Sequence, residues 1–191
     1  ALVGSLEGRK GVRAFLRSAA VAPSEEWFFV MAGKAAWDTF DDETREAVRR
    51  LTTGPDSRVL LADRWLDDET LNAVVAASGL LHACYERWPY SSNMLCKAAA
   101  FHVPALVAAE GYLGRMVRDF DLGITVPSGE HMPSRFVAGF AAEIAALAAG
   151  PAFHEGCRRY LAANSPEALV DVLRSGLASA VGCRIGTTDA G

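Results

Sequence analysis

No CxxC pair occurs among the four cysteines, Cys84, Cys96, Cys157 and Cys183. That absence speaks against zinc ribbons and thioredoxin-like redox motifs. Reduced, mostly buried thiols of a cytoplasmic chain are the expectation instead. The four histidines are equally scattered, with no i,i+4 pair, so no metal is expected. No apolar run approaches a membrane span, and no basic segment followed by an apolar one opens the chain as a secretory leader would. Positive charge is not in excess either. The 19 Lys and Arg against 23 Asp and Glu leave a net charge of -4, which argues against nucleic acid held by a global basic field. A local basic site for phosphate remains open. Any membrane contact is left to the periphery, through a further domain.

What is present is apolar and alternating. Hydrophobic residues make up 51% of the 191 positions, which excludes a disordered chain and suits one domain with a good core. That domain is expected over residues 1–182, with a frayed tail over 183–191. The chain opens at Ala1 directly into a strand-like run, an abrupt start expected of a piece of a longer protein.

Short apolar runs predict strands at 1–6, 27–32, 59–62, 80–84, 103–108 and 122–126. Helical spacing predicts helices at 8–20, from Asp41 to a break at Gly54-Pro55, and at about 68–77, 92–101, 112–120, 134–148, 151–163 and 165–181. Strict strand–helix alternation with strands apolar on both faces predicts an α/β fold. The expected architecture is a doubly wound parallel sheet of about six strands with extra C-terminal helices. Ligands of such sheets bind beyond the carboxyl ends of the strands. The search therefore narrows to the loops after Leu6, Ala32, Ala62 and Cys84.

The first loop, Gly4-Ser5-Leu6-Glu7-Gly8-Arg9-Lys10-Gly11, places two cations at a helix start, against the helix dipole. An anion would make that arrangement favourable, with Arg9 gripping through two bonds and Lys10 acting as a point charge. A solvated basic turn explains the pair as well. The run lacks the Gly-Lys-Ser/Thr of a Walker loop. A second candidate is the helix start at Ser91-Ser92-Asn93, where hydroxyls and free N–H groups suit either an anion or ordinary capping. The stretch before it, Tyr85-Glu86-Arg87-Trp88-Pro89-Tyr90, offers Glu86 and Tyr90 to a base, a sugar ring or a partner domain. Lys97 lies among small residues in the following helix. It either snorkels to the surface or faces a ligand.

Taken in order, these segments resemble the C-terminal domain of GT-B glycosyltransferases of the family 4, or group 1, type. Leu2-Val3-Gly4-Ser5-Leu6 with Arg9-Lys10-Gly11 is similar to an opening "VGRL…KG" segment. Phe29 to Gly33 is similar to its "hhhhG" strand, Val59 to Leu71 to "V.FLG…DEEL", Leu95 to Val107 to "LLEAMACGTPVVA", and Gly111 to Pro127 to "GG..EIV…GLLVP". The resemblance covers roughly residues 1–180 and implies a Rossmann-like half of a GT-B fold.

The resemblance further implies a nucleotide-diphosphate sugar as donor substrate, with no cofactor and no metal. It assigns the diphosphate to Arg9 and Lys10, close backbone approach to Gly4, and phosphate or sugar to the N–H groups at Ser91, Ser92 and Asn93. The base falls near Asp63-Arg64-Trp65, with Gly33, Arg64, Trp65, Glu86 and Tyr90 as base or sugar contacts. A retaining outcome and a missing N-terminal acceptor domain that carries the catalytic base also follow from it, so the chain is expected to be inactive alone.

One departure stands out. Such domains often carry a pair of glutamates for sugar and ribose. Alignment from Pro104 puts Pro89 and Lys97 at those positions. Lys97 then reaches a phosphate, while Asn93 or Glu86 supplies lost hydrogen bonds. The alternatives are a non-catalytic binding module of the same fold and an unrelated doubly wound regulator. The second is opposed by the lack of a G-x-G-x-x-G after the first strand.

Overall fold

Residues 1–54, 57–127 and 136–185 are described in the computed structural model, with side chains to 176 in the last helix. Pro55, Ser134 and residues 186–191 of the expected tail lie outside the described residues. Six strands alternate with helices. They are β1 (Leu2–Val3), β2 (Phe29–Ala32), β3 (Val59–Ala62), β4 (Leu81–Ala83), β5 (Ala105–Ala108) and β6 (Gly123–Val126). The helices are α1 (Val12–Val21), α2 (Asp42–Thr53), α3 (Asp68–Ala76), α4 (Asn93–Ala100), α5 (Gly111–Asp119), α6 (Phe140–Ala149), α7 (Pro151–Ala163) and α8 (Pro166–Ile185).

The strands form two parallel three-stranded sheets, β1-β2-β3 and β4-β5-β6. Ala1 joins them. Its amine donates to Leu80 O at 2.6 Å, and its carbonyl accepts from His82 N–H at 2.7 Å, the pattern of a parallel bridge. The order across the molecule is therefore β3-β2-β1-β4-β5-β6. The connections reverse direction between β1 and β4, and the doubly wound rule places a ligand at that switch point.

Both faces of the sheet are covered, as two-sided apolar strands require. Leu2, Phe29, Met31 and Leu106 pack on one side with Phe15 and Leu16 of α1 and Phe140 and Ile144 of α6. Val3, Ala32 and Leu81 pack on the other with Val75 of α3 and Met94 and Ala98 of α4. Beyond them, Ala105 and Val107 meet Leu113 and Val117 of α5 and Phe153, Cys157 and Tyr160 of α7. A Leu side chain fully buried in this way contributes about 1.5–3 kcal/mol.

Two predicted helices differ from the observed ones. The helix expected over 8–20 is split into a 3-10 turn at Gly8–Lys10 and α1, because Gly11 adopts φ +76° between them. A Cβ at Gly11 would stand 2.4 Å from Cys84 O and 3.1 Å from His82 Cε1, so the loop rests on β4 there through a bare backbone. The helix expected from Ser134 begins instead at Phe140, after Gly139 at φ +86°. Phe136 precedes it and is buried against Trp27, ring centroids 4.9 Å apart. The apolar pattern that mimicked another helical turn is this aromatic contact.

Candidate functional site

The carboxyl ends of β1 and β2 meet through two glycines. Gly4 has φ +99° and Gly33 φ +142°. A Cβ at Gly33 would lie 1.7 Å from Gly4 O, so no other residue fits without moving the β1 loop. Gly4 N–H donates to Ala32 O at 2.9 Å, and Gly33 N–H to Ala62 O at 3.0 Å. This close approach opens a cleft of about 290 Å³. Gly4, Ser5, Lys10, Gly33, Lys34 and Trp65 line it, with Asn93 and Met94 from the start of α4. Gly4, Lys10, Gly33, Trp65 and Asn93 are thus brought together.

Lys10 is the unusual member. It is half-buried, and its Nζ lies 5.7 Å from the Tyr85 ring centroid. A Cβ built on Gly4 would lie 3.7 Å from that nitrogen. Among the described residues no hydrogen bond or ion pair engages the ammonium group. Burial lowers its pKa, the more distant Glu7 carboxylate raises it in part, and Arg9 lowers it further. A desolvated cation without a close counter-charge is costly, and a bound anion would remove that cost.

Arg9 faces elsewhere. Its guanidinium pairs with Glu7 at 2.6 Å and lies 4.3 Å over the Trp88 ring. It lines a neighbouring cleft of about 540 Å³ with Arg13, Asp41, Glu86 and Arg87. Glu7 is held below the usual carboxylate range. Burial pushes it up, but the Ser5 hydroxyl at 2.8 Å and the charges of Arg9 and Lys10 outweigh that. Glu86 N–H donates to Arg9 O at 2.7 Å, which ties the β1 and β4 loops together. Glu86 and Tyr90 are exposed and do not line the Lys10 cleft. Tyr90 packs edge-on against Trp88 at 5.2 Å.

At the start of α4 the three polar residues have different duties. Ser92 is the N-cap, its Oγ accepting from Met94 N–H at 3.2 Å and lying 3.3 Å from the Tyr85 hydroxyl. The Ser91 carbonyl accepts from Trp88 Nε1–H at 3.2 Å. Asn93 is exposed and lines the cleft. Lys97 does not line it. Its Nζ donates to Asn72 Oδ1 at 2.6 Å and stands 3.6 Å from Asp68, joining α4 to α3. Arg64 is exposed and outside the cleft, whereas Trp65 is 79% exposed at its edge.

Asp63, expected near a base, is already engaged. Its carboxylate accepts from Ala35 N–H at 2.9 Å, Trp37 Nε1–H at 2.8 Å and Lys34 Nζ at 3.1 Å. The Ala35 bond heads the causes that hold its pKa down. Ser5 was read only as part of the first loop, and Lys34 escaped the sequence reading. The signal for Lys34 was its place directly after Gly33, in a loop already under search.

Among the described residues no group of three or more His, Cys, Asp or Glu is arranged to hold a metal ion. No helix among them is long and apolar enough to cross a membrane.

No protein-family profile matches the chain, and no curated protein matches it in sequence. Solved structures do match. AviGT4, a glycosyltransferase involved in avilamycin A biosynthesis, superposes with a TM-score of 0.63 at 21% identity over 93% of this chain and 51% of its own. An α,α-trehalose-phosphate synthase (UDP-forming) from Burkholderia vietnamiensis gives 0.61 at 18% identity, over 94% and 45%. The C-terminal domain of a glycosyl transferase group 1 family protein (LpcC) from Francisella tularensis gives 0.60 at 14% identity, over 83% and 80%. The chain spans about half the length of the first two. At these identities the likeness is one of architecture, and the chain has the Rossmann-like fold of a GT-B, group 1 type glycosyltransferase C-terminal domain.

Proposed function

We propose that this chain is the donor-binding half of a glycosyltransferase, holding the diphosphate of a nucleotide-diphosphate sugar in the cleft between the β1 loop and the start of α4. The observation that carries this reading is Lys10, half-buried beside the bare backbone of Gly4 with no ion-pair partner among the described residues. A diphosphate there gains the Lys10 charge and the positive end of α4. Asn93 offers its side-chain amide at the rim, while the Ser5 hydroxyl and Lys34 are already engaged by Glu7 and Asp63. The exposed indole of Trp65 offers a face on which a base stacks.

In the reaction the bond between the anomeric carbon and the diphosphate oxygen breaks, and negative charge grows on the departing diphosphate. Lys10 and the α4 start stabilise that charge. Arg9 contributes from the edge once it leaves Glu7. The acceptor and its base belong to a second domain, so the chain alone does not turn over. Retention at the anomeric carbon rests on the family resemblance only. No metal is needed in this reading.

Lys97 favours a second reading. The position where such domains often carry a ribose-binding carboxylate instead bonds α4 to Asn72 and Asp68. The same fold would then bind an anionic ligand without glycosyl transfer. Titration of UDP, GDP and ADP into this chain and its Arg9→Ala and Lys10→Ala variants tests the phosphate site. A nucleotide that binds all three equally well excludes the β1 loop. Binding of free nucleotides with no binding of any sugar nucleotide, by this chain or by the protein that carries it, selects the second reading.

A further inference from the structure

Away from the cleft, two histidines far apart in sequence meet. His102 follows α4, and His154 sits in the first turns of α7. Their Nδ1 atoms are 2.9 Å apart, with ring centroids at 4.8 Å. His102 is exposed and His154 half-buried, so the pair is open to solvent. His102 also holds φ +53°, in the left-handed region where glycine is the easier residue. Its backbone is fixed there. His102 N–H donates to Ala99 O at 3.2 Å, and Val103 N–H donates to Ala98 O at 2.8 Å. His154 is fixed by its neighbour Phe153, which is buried in the α5–α7 core.

We propose that His102 and His154 chelate one divalent transition-metal ion through their Nδ1 atoms. Imidazole nitrogens bind such ions at about 2.0–2.1 Å, and two bonds of that length from atoms 2.9 Å apart meet at an angle of about 90°. That is the angle between adjacent ligands of an octahedral or tetragonal ion, not of a tetrahedral one. The geometry therefore suits Ni²⁺ or Cu²⁺ better than Zn²⁺, with water in the remaining positions. In the metal-free pair one Nδ1–H donates to the other Nδ1. On binding, both rings turn so that their Nδ1 lone pairs converge on the ion, and the donor ring moves its proton to Nε2, so both rings ligate as neutral imidazoles and no net proton is lost. The ion then bridges the end of α4 to α7, which pack on each other. It joins the sheet to the C-terminal helices and is independent of the donor cleft.

The test is a calorimetric titration of Ni²⁺ into this chain, with Mg²⁺ as the hard-ion control. The variants are His102→Gly, which relieves the left-handed backbone, and His154→Gln. His131→Ala is a control outside the described residues. One Ni²⁺ per chain is expected, weakened at least tenfold by either substitution at the pair and not by His131→Ala. A Cu²⁺-loaded sample should show two coordinated nitrogens by electron paramagnetic resonance. Ni²⁺ binding unchanged in either pair variant, no Ni²⁺ binding by the unaltered chain, or Mg²⁺ bound as tightly overturns the proposal.

Discussion

Arg9 and Lys10 are adjacent in sequence and belong to different clefts. Arg9 is satisfied, paired with Glu7 and stacked on Trp88. Lys10 is half-buried beside the Gly4 backbone with no ion pair among the described residues. Two cations of one loop have thus been given opposite states. A cation already neutralised stabilises the fold, while one left unpaired in a cleft is poised for a ligand. The difference ranks the two residues, which sequence could only list together.

The comparison can be broken most forcefully at its base. Gly33→Ala places a methyl group against the Gly4 carbonyl in a backbone conformation that disfavours it. The expected loss is about 3–5 kcal/mol of stability, read by denaturant unfolding. A loss under about 1 kcal/mol would mean that the two loops separate easily and that the cleft is not rigid.

Lys10→Met separates function from stability. Nucleoside diphosphate affinity should fall about 30-fold, about 2 kcal/mol, while the chain without ligand gains up to about 1 kcal/mol because a desolvated charge is gone. Loss of both affinity and stability would show that Lys10 serves the fold, as Arg9 does.

His82 probes the frame beneath both clefts. It is buried, edge-on to Phe15 at 5.3 Å, and burial drives its pKa down to about 3. A depressed histidine pKa means that the unfolded chain takes up the proton first as pH falls. Its contribution is present above about pH 6.5 and is lost towards pH 3, at up to about 1.4 kcal/mol per pH unit. His82→Gln should flatten the stability profile in that window relative to the unaltered chain. Parallel profiles would contradict the burial argument. Because Gly11 rests on this histidine, acid should weaken the Arg9 and Lys10 clefts together.

Arg9→Ala should have the smallest effect. It removes an exposed pair worth under about 1 kcal/mol and should lower nucleotide affinity by about threefold. That loss should vanish in high salt, where exposed charges are screened. An effect equal to that of Lys10→Met would erase the distinction between the clefts.

Much of this architecture was readable in advance. The apolar run Phe29–Ala32 is largely buried on both faces, Val59–Ala62 forms the edge strand with Leu60 exposed, and Asp41 and Asp67 announce α2 and α3 by accepting from Thr44 and Thr70 N–H. The break at Gly11 was less readable, because a glycine in a helical pattern does not reveal whether its φ is positive. Strand order was hidden as well, since Ala1 pairs with the β4 segment across 79 residues of sequence. At the site, the loop reading and the family resemblance together had singled out Gly4, Lys10, Gly33, Trp65 and Asn93, and these line one cleft. It could not separate Arg9 from Lys10, nor foresee that Lys97 bonds to α3. Those outcomes depend on side-chain direction, which adjacency in sequence does not encode. His102 and His154 escaped for the same reason, since spacing rules find ligands on one helix and miss those joined by the fold.

The most direct measurement is a calorimetric titration of UDP, GDP and ADP into this chain and its Lys10→Met variant. At least one diphosphate should bind, and the substitution should weaken it about 30-fold. A nucleotide that binds both proteins equally well, or a chain that binds none of the three, would contradict the role given to Lys10.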